Sequence, residues 1–198
     1  HSKHEKVTHG KALTNDEVTV GGDGFAAGEG ATYNVTGTQT DVGTSKNTFT
    51  YTLNEGTKAD NYTITKTEGT LEVTALTDKV TVTITENSGS EKYDGTEKKV
   101  EGYTVSIDNE LYTEADFTFN GDATVKGTDA GSYPMQLKAS DFTNISKNFS
   151  NVEFVIVDGT LEISKRTVTL TSADDEKVYD GKALRNDEVT VGGDGFAG

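Results

Sequence analysis

Apolar and polar positions alternate along most of this chain. At residues 80–85 (VTVTIT), 167–171 (TVTLT) and 48–53 (TFTYTL), aliphatic and aromatic side chains fall on one face and threonines on the other. A two-residue period predicts β-strands with one buried and one wet face. Threonine, branched at Cβ, suits the pleated surface. The pairs Asp94-Gly95, Asn120-Gly121, Asp158-Gly159 and Asp180-Gly181 predict tight turns between strands. Helical spacing is rare. Phe142, Ile145 and Phe149, following a Ser140 cap, predict one helix over residues 140–151, and a single helical turn is expected over 113–116. The expected fold class is mainly β, in modules of five or six short strands with at most one short helix each. The core of the central module is expected to include Val80, Val82, Ile84, Tyr103 and Phe117, with Phe119, Leu137, Phe154, Ile156 and Leu161.

The alternation is organised by an internal repeat. Residues 5–26 read EKVTHGKALTNDEVTVGGDGFA, and residues 176–197 read EKVYDGKALRNDEVTVGGDGFA, the same at all but three of 22 positions. A more diverged unit lies between them. Its Tyr93 stands 86 positions before Tyr179 and 85 after Thr8. Module ends match as well, Gly69-Thr70-Leu71-Glu72-Val73 against Gly159-Thr160-Leu161-Glu162-Ile163, as do Asp41-Val42-Gly43 and Asp129-Ala130-Gly131. The expected layout is a first module over residues 1–76, a complete second module over 77–165 and the opening third of a third module over 166–198. No long Gly/Ser linker separates them, so neighbouring modules are expected to abut.

Composition narrows the function classes. The 198 residues carry a formal net charge of −15, which opposes binding to nucleic acid and to anionic lipid. The longest strongly apolar stretch, near residues 154–157, is far too short to insert in a membrane. Cysteine is absent, so there is no disulfide framework and the redox compartment is unreadable. The sequence reads as an excised internal fragment, with His1-Ser2 resembling a cloning scar.

The segments quoted above resemble, in their order, a known group of repeats. Tyr93-Asp94-Gly95 and Tyr179-Asp180-Gly181 open a module, Asp41 to Gly43 lies mid-module, Asn61 to Ile64 precedes the end, and Gly69 to Val73 closes it. This combination is similar to the MBG/YDG repeats of bacterial adhesins. The resemblance implies a β-grasp-like module in a large, cell-wall-linked surface protein, outside the cell. It implies location more firmly than activity. The first module departs from the pattern with Thr8-His9-Gly10, which weakens its first turn and any role of the Tyr or Asp there.

The chain offers little chemistry. The Tyr-Asp-Gly motif pairs an aromatic with a carboxylate but reads as a strand-end anchor beside a turn that needs glycine. The acidic, glycine-rich loop at residues 21–30 offers Asp23 and Glu29 as calcium candidates, although it matches neither an EF-hand nor a nonapeptide calcium repeat. The histidines, His1, His4 and His9, are confined to the first ten residues and are not repeated. Without cysteine, an interior histidine or an aromatic-lined acid pair, no catalytic or cofactor-binding set is recognisable, and no enzyme is expected. The expected role is a structural stalk or spacer. The alternative is a ligand-binding module for mucin, glycan or host protein, which clustered exposed tyrosines among Tyr33, Tyr51, Tyr62, Tyr103, Tyr112 and Tyr133 would favour.

A final expectation comes from the alignment. The strand at residues 166–171 opens the third module, and its partner in the first would lie before residue 1. The first module is therefore expected to lack its opening strand, and head-to-tail self-association through residues 166–198 is expected.

Overall fold

The computed structural model describes residues 4–198. Strands make up 43% and helix 5% of the chain, so it is mainly β. Two compact units are formed, one of residues His1–Thr81, Ile107–Thr118 and Asn144–Glu153, the other of Val82–Ser106, Phe119–Thr143 and Phe154–Gly198.

In the first unit, β1 (His4–Val7) runs parallel to β5 (Gly69–Thr74), whose other edge carries β3 (Gly43–Asn47) antiparallel. A separate antiparallel pair joins β2 (Ala31–Val35) to β4 (Phe49–Leu53), with Tyr33 opposite Tyr51. Leu13, Leu71 and Val73 form the buried cluster of this region. Leu13 reaches it from a single bridge to Gln39. Elsewhere in the unit, buried Tyr112 stacks on Phe117 and meets Phe149 edge to face.

In the second unit, β7 (Gly89–Lys92) runs parallel to β15 (Thr160–Ser164), and β12 (Gly131–Pro134) covers the other edge of β15 antiparallel. β8 (Lys98–Glu101) pairs with β11 (Thr124–Gly127). Five strands have residues in both units: β6 (Val80–Glu86), which lies between β14 (Val152–Val157) and β9 (Tyr103–Ile107), and β10 (Phe117–Phe119), which pairs with β13 (Phe142–Asn144). β6 buries Val80, Val82, Ile84 and Glu86 on its inner face, as strict alternation requires. Phe142 stacks on both Phe119 and Phe154, and Tyr103 closes on it edge to face. β16 (Val168–Ser172) and β17 (Val189–Gly193) form a two-stranded antiparallel sheet among the described residues.

The repeat is reproduced strand by strand. His4 stands opposite Leu71 in the parallel pair β1–β5, and Gly89 stands opposite Leu161 in β7–β15. Gly43 opposes Val73 as Gly131 opposes Ile163. Even the bridge between Leu13 and Gln39 has its counterpart, Lys98 opposite Gly127. A one-residue slip would turn every inward side chain outward, so equal registers mean equal buried faces.

Several expectations need correction. Residues 140–151 do not form a helix. A 3₁₀ turn at Ala139–Asp141 leads directly into β13, and Ile145 is exposed. Asn144 explains the break: its amide accepts from the Ser146 N–H (3.1 Å) and donates to the Phe149 carbonyl (2.9 Å), local bonds that compete with a helical ladder. The turn expected at 113–116 is present as Glu114–Asp116, boxed by Thr113. A third 3₁₀ turn spans Ala59–Asn61. No α-helix forms among the described residues, and the β-grasp expectation finds no helix to seat on a sheet. Residues 77–165 carry ten strands, β6 to β15, rather than five or six, because turns cut the sheets into short pieces. In the core, Tyr103, Phe119, Phe154 and Ile156 are only half-buried. Tyr112, Met135, Phe142, Phe149 and Ile163 are buried beside the expected residues.

Candidate functional site

The three module-opening turns share one construction. Gly10, Gly95 and Gly181 all have φ between +75° and +82°, a region open to glycine at little steric cost. The residue before each glycine accepts a backbone N–H two positions on. Asp94 takes Thr96 (2.9 Å), Asp180 takes Lys182 (2.8 Å), and His9 takes Lys11 through Nδ1 (3.3 Å). The Thr8-His9-Gly10 turn is thus retained with a longer bond. Lys98 at 2.7 Å, helped by the Thr96 hydroxyl and N–H, holds the Asp94 carboxyl well below its ordinary range. Lys177 does the same for Asp180. Tyr93 is half-buried, and Tyr179 stands almost wholly in solvent. Both motifs can therefore do turn work, and in neither does the tyrosine face a partner carboxylate.

A second device, missed by inspection of the sequence, fixes the strand of the β6 type. The Thr81 N–H donates to Asp108 Oδ1 (2.8 Å) and the Asp108 N–H returns to the Thr81 carbonyl (3.3 Å). Eighty-six residues on, Thr167 donates to Asp194 Oδ2 (2.9 Å) and Asp194 returns to the Thr167 carbonyl (2.7 Å). Lys92, beside Asp194 at 2.8 Å, lowers that carboxyl further. The far end is tied alike, Asn87 N–H to the Gly102 carbonyl and Ala173 N–H to the Glu188 carbonyl (both 3.1 Å). At an offset of 85 the first repeat's counterpart of Asp108 is Asp23, one of the two calcium candidates. The offset alignment carried that signal.

A further group missed by inspection is Glu86, 3% exposed at the inner end of β6. Its carboxylate accepts the Leu137 N–H (2.6 Å) and the Gly159 N–H (2.7 Å). A carboxylate on the apolar face of an alternating strand is legible in the sequence, since 80, 82, 84 and 86 share a face.

The loop at residues 21–30 is where calcium was anticipated. Glu29 accepts the Tyr62 hydroxyl, whose oxygen in turn accepts the Ala26 N–H (3.0 Å), and Phe25 packs edge to face on Tyr62. The Glu29 bond raises the pKa of Tyr62. Nothing among the described residues donates to Asp23, and no group of three or more His, Cys, Asp or Glu side chains there could hold a metal ion. Beside this loop lies an open cleft of roughly 640 Å³. Val18, Thr19, Gly21 and Gly22 line it together with Thr63, Thr65 and Thr67, Val35, Phe49 and Leu71. Tyr33, Tyr51 and Tyr62 border its continuation. Tyr51 is exposed, Tyr33, Tyr62, Tyr103 and Tyr133 are half-buried, and Tyr112 is fully buried, so the six tyrosines do not gather as an exposed face.

No helix among the described residues is long and apolar enough to cross a membrane. No curated protein and no solved structure matches the chain. Residues 80–165 match the family model of the MBG domain. That family is a non-catalytic repeat domain found in bacterial surface proteins, and the match at residues 80–165 is consistent with MBG-type repeat modules.

Proposed function

We propose that the chain is a stalk or spacer segment of a bacterial cell-surface adhesin, lying outside the cell and linked to its wall. Its modules run over residues 1–76, 77–165 and 166–198, each module's partners being its neighbours. The observation that carries this reading is the equal register of β1–β5 and β7–β15, since a sheet copied residue for residue along a chain serves length rather than one binding site. The net charge of −15 suits a solvated extension. The match to a non-catalytic repeat family supports a non-catalytic role.

A second reading has one observation in its favour. The cleft beside residues 18–22, with Phe25, Tyr33, Phe49, Tyr51 and Tyr62 at its walls, offers aromatic surface of the kind that anchors a glycan or a host protein segment. A glycan and mucin array probed with the full chain separates the two. Background signal throughout is the expected result. Specific, saturable hits that a Tyr51→Ala substitution removes would replace the spacer reading with the binding one.

A further inference from the structure

On the module boundaries proposed above, the chain passes from the first module to the second by a short connection at residue 76. A connection alone lets two bodies swivel. Here it is stitched down. Leu76 forms a parallel bridge to Phe149: its N–H donates to the Asn148 carbonyl (2.8 Å), and its carbonyl accepts the Ser150 N–H (3.1 Å). The Asn148 side chain then reaches back to the first module. Its Oδ1 accepts the Val42 N–H (2.8 Å), and its Nδ2 donates to Asp41 Oδ1 (3.1 Å). A third attachment is at Gly10, where a Cβ would stand 2.7 Å from Cδ2 of Leu111. The connection, the mid-module Asp41-Val42 and the module-opening turn thus each meet the second module, all within the first compact unit.

The contact at the turn recurs one repeat on, within the second unit. Gly95 stands 85 positions after Gly10, and Ala197 stands 86 after Leu111. A Cβ on Gly95 would lie 3.8 Å from the Ala197 Cβ. Arg166 bonds to both sides of this contact, donating through Nη1 to the Tyr93 carbonyl (3.2 Å) and through Nε to the Gly195 carbonyl (2.8 Å). Lys92 pairs with Asp194 at 2.8 Å. Each incoming residue lies three positions after an aspartate, Asp108 or Asp194, that is bonded to its own strand at Thr81 or Thr167. The sizes are reciprocal. The turn opened by the smaller Thr8 meets Leu111, and the turn opened by the larger Tyr93 meets Ala197. Tyr93 and Ala197 border one pocket.

We propose that the module-opening turn is the socket that seats the following repeat, and that turn and incoming residue are matched in size. The partner of each turn is the next module of the same chain. This rests on the spacer reading above and gives the Tyr-Asp-Gly motif and its Thr-His-Gly variant a duty beyond turning the chain. Gly10 and Gly95 share a φ of +82°, and the missing side chain also lets the neighbour approach the backbone. Thr8, 5% exposed, leaves to Leu111 the volume that a tyrosine would claim. The aspartate three residues earlier ties the incoming loop to the first strand of its own module, so seating the loop orients that strand. Modules held in this way resist bending at the junction, and their order along the chain follows from which residue fits which turn.

Distances between two spin labels on the intact chain, read by double electron–electron resonance, test this. The sequence has no cysteine, so Lys58→Cys and Thr118→Cys, at exposed positions in the first and second modules, carry the only labels. One sharp distance peak is expected. Leu111→Ala combined with Asn148→Ala removes the seated residue and the side-chain clasp but spares the connection at Leu76. It should spread the peak while the circular dichroism melt stays cooperative. Leu111→Ala alone, at a position 43% exposed, should spread it less, and Leu111→Met, which keeps the volume, should leave it sharp. A spread peak in the chain without these substitutions overturns the proposal, as does a sharp peak that survives the double substitution. The spacer reading fails separately, through specific hits on the glycan array with the peak still sharp.

Discussion

Residues 5–26 and 176–197 are nearly the same peptide and adopt different structures. In the first copy, Glu5, Lys6 and Val7 lie in β1 against β5, and Leu13 is 4% exposed in a core with Leu71 and Val73. In the second, Val178 is 89% and Leu184 46% exposed, and no strand forms before Val189. The relation then inverts. Residues 18–22 form no strand, whereas the identical VTVGG at Val189–Gly193 is β17. Local propensity is equal in the two copies, so it decides neither outcome. What differs is the partner: β5 is present beside the first copy, and β16 beside the second. A half-buried strand is made by its neighbours at least as much as by its own residues.

The sharpest way to break this comparison is to make one substitution at both copies. Leu13→Ala removes a buried side chain from a packed cluster and should cost about 2–4 kcal/mol. Leu184→Ala, at a half-exposed position outside any core, should cost about 0.5 kcal/mol or less. Urea titration of the two variants measures both. Equal losses would mean that residues 176–197 bury Leu184 in solution.

The next effect contrasts β6 with β16. Glu86 ends β6 and Ser172 ends β16 at the aligned position. Glu86→Ala strips two buried backbone N–H groups of their acceptor and should destabilise the chain by about 2–3 kcal/mol. Glu86→Gln, which keeps one acceptor oxygen, should restore part of that. Ser172→Ala should leave the melting curve unchanged, because residue 172 is exposed and caps no such pair.

The sequence made the strands of the β6 type legible, because alternation and threonine content agree there, and the repeat made their pairing legible by analogy. Residues 140–151 were misread because Phe142, Ile145 and Phe149 have helical spacing by coincidence. Phe142 belongs to a strand and Phe149 to a bridge with Leu76, while Asn144 satisfies the backbone between them. Helical periodicity cannot register a side chain that replaces the ladder. Asp23 was visible as a carboxylate in a glycine-rich loop. Its alignment with Asp108 and Asp194, which accept the Thr81 and Thr167 N–H groups, is a relation between distant positions that local composition does not carry.

Acid should separate the turns. Asp94, Asp180 and Asp194 have pKa values lowered from 3.8 by Lys98, Lys177 and Lys92 respectively. A lowered folded-state pKa means that the contribution is present above the unfolded value and is lost as pH falls through the folded one. Between neutral pH and about 4 the bonds to Thr96, Lys182 and Thr167 should hold, and below that range they should be lost in turn. Amide exchange at those three residues reads this directly. The Thr8-His9-Gly10 turn has no carboxylate acceptor, so the Lys11 amide does not report carboxylate protonation. Simultaneous loss at amides outside these turns would point to global unfolding instead.

The smallest effect expected is that of calcium. Glu29 is engaged by Tyr62, and Asp23 corresponds to two aspartates whose oxygens accept the Thr81 and Thr167 N–H groups. Calcium seeks six to eight oxygens, and this loop presents one occupied carboxylate and one that the repeat matches to a strand clamp. A site filled at one hundred times its dissociation constant would add about 2.7 kcal/mol to native stability. For a chain of this length that amounts to several degrees in melting temperature. Added Ca²⁺ should therefore leave the transition where it was. A rise that EDTA reverses and Mg²⁺ does not reproduce would return Asp23 and Glu29 to metal binding. Asp23→Ala is then the control: if Asp23 is a calcium ligand, the substitution abolishes the rise.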